Sequence, residues 1–115
     1  MVVTIYHNPR CSKSRQTLQL LVDRGIAVKV IEYLKTPPSR KELQQLLALL
    51  HMQPRELMRK QEPVYKTLGL NDTALSDTQL QAAMVANPVL IERPIVLANN
   101  KAAIGRPPER VLDIL

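Results

Sequence analysis

The sequence predicts a mixed α/β fold on three observations: a β-α-β opening within the first 33 residues, a helical middle section, and a β-hairpin followed by a closing helix. Val2-Val3-Thr4-Ile5-Tyr6 is apolar and rich in β-branched residues, which marks a buried strand. His7-Asn8-Pro9-Arg10 interrupts it, and after Ser12 the residues Leu18, Leu21 and Val22 fall on one helical face. Gly25 is placed to end that helix as its C′ residue, and Ala27-Val28-Lys29-Val30-Ile31-Glu32-Tyr33 supplies a second strand.

Thr36-Pro37-Pro38 then breaks the chain. Ser39-Arg40-Lys41-Glu42 has the spacing of a capping box, and Leu43, Leu46, Leu47 and Leu50 form a core-facing stripe behind it. That stripe needs no function, and His51 beyond it reads as a surface histidine. Pro54 can open a short helix through Arg55, Glu56, Leu57, Met58, Arg59 and Lys60 before Pro63 disturbs it. Ser76-Asp77-Thr78-Gln79 caps a further helix with Leu80, Ala83 and Met84 inside, and Asn87-Pro88 stops it.

From Arg93 onward the pattern becomes two short β runs flanking Asn99-Asn100, a hairpin with a two-residue turn. Pro107-Pro108-Glu109 begins a closing helix that carries Val111, Leu112 and Leu115. No internal repeat, low-complexity tract or interdomain linker interrupts the chain, and 115 residues suit one domain.

Composition narrows the function. The chain has no Phe, no Trp and three Tyr, so stacking platforms for single-stranded nucleic acid are largely missing. A single cysteine rules out an intramolecular disulfide, and no apolar run approaches the roughly 18–20 residues of a membrane span. The apolar start ends at Tyr6, too early for a signal peptide, and a reduced, cytoplasmic setting is expected. The formal charge of +6 comes from basic residues scattered along the chain, which suits a small anion better than a duplex.

Cys11 falls at the turn between the first strand and the first helix, where unpaired N–H groups and the helix dipole favour a thiolate. Lowering a thiol from about 8.5 to about 6 takes about 3.4 kcal/mol, whereas a helix terminus supplies about 0.3–1 and at most about 2. Additional cations must therefore approach. Arg10, Lys13 and Arg15 are the local candidates, together with His7 if it is protonated. A lone cysteine is more commonly a small buried hydrophobe, but Pro, Arg, Ser and Lys are poor company for a core position.

The hairpin brings in two more cations. With Asn99 and Asn100 as the turn, Ala98 faces Lys101, Leu97 faces Ala102, Val96 faces Ala103 and Ile95 faces Ile104. Two steps further, Arg93 comes opposite Arg106, and like charges so placed require something negative between them unless the ladder frays first. Arg106 also precedes Pro107 at a helix start, a place suited to an oxyanion.

Tyr6-His7-Asn8-Pro9, Cys11, Ser14-Arg15, Thr36-Pro37-Pro38, Leu57 and Arg59, Glu92-Arg93-Pro94-Ile95-Val96 and Arg106-Pro107-Pro108 occur in one order over almost the whole length. In this the chain resembles the glutaredoxin-dependent arsenate reductases of the ArsC family. Ser12-Lys13 stands where the best-characterised members have a Gly-Thr pair, so a Ser-Lys-containing branch is expected. The resemblance implies an α/β thioredoxin-like fold over residues 1–115 with a helical insertion at about 39–91, and an Arg-Pro cis bond before the third strand. It places the nucleophile on Cys11, thiolate stabilisation on His7, the serine one turn later on Ser14, and oxyanion binding on Arg59, Arg93 and Arg106.

From the residues alone, Ser14 reads either as a donor to the sulfur or as an ordinary first-turn residue. His7 reads either as an electrostatic partner or as a turn-stabilising hydrogen-bonder, and Arg59 equally as a solvated residue. The resemblance further implies arsenate as substrate, glutathione as co-substrate with no bound cofactor or metal, and glutaredoxin as partner, in arsenic detoxification. Two rival classes compete with this reading: a glutathione-linked thiol-disulfide reductase, and a thioredoxin-like regulator that binds a protein partner such as RNA polymerase. Regulators of that kind usually carry a second thiol where this chain has Ser14.

Overall fold

A computed structural model describes residues 2–115. The chain divides into two compact units: the segment up to Thr36 with Arg93–Leu115, and the segment Pro37–Glu92.

In the first unit, β1 (Val3–His7) leads through a short turn into α1 (Ser12–Asp23), and β2 (Val28–Glu32) returns parallel to β1. After the second unit come β3 (Ile95–Ala98), β4 (Lys101–Ile104) and a closing 3-10 helix over Pro108–Ile114. The four strands form one sheet in the order β2-β1-β3-β4, with β1 and β3 antiparallel. This is the thioredoxin-like α/β arrangement. The sequence predicted an α-type closing helix; the observed one is the tighter 3-10 form, opened by two prolines that donate no N–H.

Strand alternation sends Val3, Ile5, Val96 and Ala98 to one face, where they cluster with Leu21, Val111 and Ile114. Leu21, Val96 and Val111 are fully buried, each contributing about 1.5–3 kcal/mol of transfer free energy. α1 ends as expected. Gly25 has a φ of 72°, its N–H donates to Val22 O at 2.9 Å, and Ile26 N–H donates to Leu21 O at 3.2 Å. Those two bonds make a Schellman motif, whose left-handed residue glycine tolerates best. Val22 departs from the predicted stripe: it is 52 % exposed, whereas Ser14, Thr17 and Leu21 are buried at i, i+3 and i+7. The buried face of α1 is thus polar near its start, where the chemistry lies.

The hairpin register matches the sequence expectation pair by pair, from Ala98↔Lys101 to Ile95↔Ile104. Asn99 and Asn100 take φ values of 54° and 59°, the left-handed pair that a type I′ turn requires and that asparagine tolerates. Asn99 also donates from Nδ2 to Ile114 O at 2.9 Å, tying the turn to the end of the chain. The peptide bonds Arg93–Pro94 and Arg106–Pro107 are both cis.

The second unit holds α2 (Arg40–Leu50), α3 (Pro54–Leu57), α4 (Pro63–Thr67), α5 (Asp77–Ala86) and a 3-10 turn over Pro88–Leu90. The capping boxes Ser39/Glu42 and Ser76/Gln79 both form, as their spacing predicted. The helix expected through Lys60 stops at Leu57, because Met58 turns extended and bridges Ile91. Arg59 N–H donates to Leu90 O at 2.7 Å and Glu92 N–H to Leu57 O at 2.9 Å, so tertiary pairing outcompetes continuation of a one-turn helix. Arg55 staples the following loop through bonds to Tyr65 Oη, Leu70 O and Asp72 O.

Candidate active site

The turn between β1 and α1 is built by its own side chains. Asn8 Oδ1 accepts the N–H of Arg10 at 3.0 Å, Cys11 N–H donates to Asn8 O at 3.0 Å, and Arg15 Nη1 donates to Pro9 O at 3.0 Å. An asparagine before a proline is a turn signal of this kind. The turn delivers Cys11 to the N-cap of α1, with its own carbonyl accepting from Arg15 N–H at 3.0 Å.

Cys11 is 8 % exposed and yet not in apolar surroundings. Burial alone pushes its thiol pKa up, but the backbone N–H of Ser14, the hydrogen bond and charge of Arg93, and the charge of Arg106 outweigh it and hold the pKa below the ordinary value. Arg106 Nη2 lies 3.6 Å from Sγ, from a residue 95 positions away in the chain. Arg106 Nε donates to Arg93 O at 2.8 Å, which locks one arginine against the other's backbone. The negative group demanded between two opposed arginines is therefore the sulfur. Of the local cations, Arg15 donates to the Pro9 carbonyl, and the charges that lower the Cys11 pKa are those of Arg93 and Arg106.

His7 and Ser14 meet each other. Ser14 Oγ lies 2.6 Å from His7 Nδ1 and accepts the Asn8 N–H at 3.0 Å, with all three residues buried. Burial lowers the His7 pKa, Arg15 adds to that, and Glu32, its neighbour across the strand pair, opposes it. The imidazole is then neutral at pH 7. The neutral ring carries one hydrogen, and His7 Nδ1 and Ser14 Oγ share a single hydrogen bond in which either partner can donate. Ser14 thus supports the sulfur through its backbone N–H, while its hydroxyl fastens His7 to the turn.

A depressed histidine pKa has a stability consequence with a definite sign. Unfolded His7 takes up a proton near about 6.5, the native ring only at lower pH, so the unfolded state binds more protons in that window. Stability is fully present above about 6.5 and declines as pH falls through the native pKa. Urea unfolding of wild type and His7→Asn at pH 7.5 and pH 5 is expected to show a shallower pH dependence in the variant; parallel dependences would contradict the assignment.

Arg59 belongs to the Pro37–Glu92 unit. There its Nη1 donates to Glu92 Oε1 at 2.8 Å, and its Nε lies 3.9 Å from Glu62 Oε1. Sequence reasoning named Arg59 but missed both carboxylates. It also missed the burial of Thr17, which packs against Gly105, distant in the chain. Among the described residues, no helix is long and apolar enough to cross a membrane.

The comparisons with known proteins converge. The ArsC family pattern matches residues 6–114. The chain is 57 % identical over 114 residues to the uncharacterized protein YfgD of Escherichia coli (strain K12), covering 98 % of this chain and 96 % of that one. It is 48 % identical to an arsenate reductase of Neisseria meningitidis serogroup A, with 98 % and 97 % covered. A solved structure described as an arsenate reductase from Vibrio cholerae superposes with a TM-score of 0.97 at 56 % identity, covering 100 % of this chain and 98 % of that one.

Proposed function

We propose, from the premise that the chain belongs to the ArsC family, that it is an oxidoreductase converting arsenate to arsenite at Cys11, with glutathione and glutaredoxin supplying the electrons. The observation that carries the reading is the sulfur held 3.6 Å from the Arg106 guanidinium at a helix N-terminus. A lowered thiol pKa raises the share of thiolate at neutral pH, and guanidinium forks suit a tetrahedral oxyanion.

Arg93 and Arg106 hold the oxyanion against the sulfur, and Arg59 is assigned as the third oxyanion-binding arginine. The Cys11 thiolate forms a bond to arsenic while an arsenic-bound hydroxyl takes up a proton from solvent and leaves as water. Arsenic must then gain two electrons. Cys11 is the only cysteine, so both come from external thiols, one each from glutathione and glutaredoxin. Overall, one arsenate and two thiols give arsenite, a mixed disulfide and water, and Cys11 returns as thiolate. Ser14 and His7 keep the turn that aims the sulfur.

The test is arsenite formation by the purified protein with arsenate, glutathione, glutaredoxin and a recycling system. Turnover is expected only with every component present. Mixed-disulfide reduction without arsenite would replace this reading by that of a thiol-disulfide reductase.

A further inference from the structure

We infer that Gly105 is a positioning residue for the thiolate, its missing side chain setting how closely Arg106 approaches Cys11. Gly105 is buried at the end of β4, immediately before Arg106. It owes its identity to space: a Cβ added there would lie 2.4 Å from Thr17 Oγ1, 2.8 Å from Pro94 Cγ and 3.0 Å from Thr17 Cγ2.

Neither neighbour can yield cheaply. Thr17 is fully buried on α1, and its hydroxyl donates to Lys13 O at 2.8 Å. Pro94 is buried and holds Gly105 through its carbonyl, which accepts the Gly105 N–H at 3.0 Å. One residue on either side, Arg106 Nε bonds Arg93 O at 2.8 Å. Residues 93–94 and 105–106 therefore form one doubly tied strap that carries both arginines, and Gly105 is where the strap rests on α1. The same helix carries the sulfur at its N-cap, six residues before Thr17. Restoring ordinary contact at 3.4 Å from 2.4 Å needs about 1 Å of separation. That movement lifts the strap and its cations away from the sulfur.

The site is the one the proposed reaction uses, but the readout is the thiol, so absent arsenate turnover would not bear on it. The experiment follows the iodoacetamide alkylation rate of Cys11 against pH in the full-length protein, with folding verified by cooperative unfolding. Gly105→Ala is expected to raise the midpoint and slow alkylation at pH 6 about 3-fold or more, because the rate follows the thiolate fraction. Thr17→Ala alone removes bulk and is expected to stay within about 1.5-fold of wild type, and Gly105→Ala/Thr17→Ala to recover most of the loss. A folded Gly105→Ala with the wild-type profile overturns the inference, as does a folded double variant no better than Gly105→Ala. Should Gly105→Ala not fold, Thr17→Leu thickens the contact from the helix side and is expected to raise the midpoint. A wild-type profile there, or failure of both to fold, makes the contact one of packing alone and overturns the positioning role.

Discussion

Cys11→Ser is expected to reduce arsenite formation to the uncatalysed background, a loss of about 10⁴-fold or more in kcat, measured in the complete glutathione and glutaredoxin system. A serine hydroxyl stays protonated at neutral pH and forms no bond to arsenic that a thiol can resolve. The chain has no second cysteine to take over. Oxyanion binding should survive, since the guanidinium groups of Arg93 and Arg106 remain. Wild-type protein provides the matching control: arsenate should protect Cys11 from iodoacetamide. Residual Cys11-independent turnover would remove the proposed mechanism, whereas loss of both turnover and arsenate binding would point to a collapsed site.

Arg106→Ala should be the next most damaging change. It removes the guanidinium 3.6 Å from the sulfur, one of the two arginines that hold its pKa down. It also removes the bond to the Arg93 carbonyl, so the second cation loses its brace. The alkylation midpoint is expected to rise, and kcat/KM for arsenate to fall about 10²–10³-fold, the range for loss of one charged group that stabilises the reacting anion. Arg106→Lys separates the two effects. A lysine keeps the charge and most of the midpoint lowering, but not the fork that grips an oxyanion with two parallel bonds, so kcat/KM should remain well below wild type. An unchanged midpoint in Arg106→Ala would show that the Ser14 N–H and Arg93 set the thiol's acidity without Arg106.

Local chemistry made much of this molecule legible in advance. The Ser39/Glu42 and Ser76/Gln79 boxes, the Gly25 terminus and the Asn99-Asn100 turn each depend on residues within a few positions, and each formed as read. The hairpin register followed from the turn, and it pointed to Arg93 and Arg106 as a facing pair. What remained hidden depended on contacts between distant segments. Met58 leaves its helix for Ile91, 33 residues on, and Thr17 is buried while Val22 is exposed because α1 turns its Thr17 side toward Gly105. Similarly, the charges nearest Cys11 in sequence looked like its partners, yet Arg15 faces a carbonyl and the lowering charges come from Arg93 and Arg106. Glu92, 33 residues beyond Arg59, gave no signal as its partner because ion pairs between remote residues have no period, whereas Glu62 lies at i+3, a spacing that could have been read.

The tie between Arg106 and Cys11 spans 95 positions and rests on the pairing of β1 with β3 and of β3 with β4. An unfolded chain therefore carries a thiol of ordinary acidity, with a smaller share of thiolate at neutral pH. The share of that acidity which Arg106 confers is therefore a property of the assembled sheet, absent from the residues that flank Cys11 in sequence.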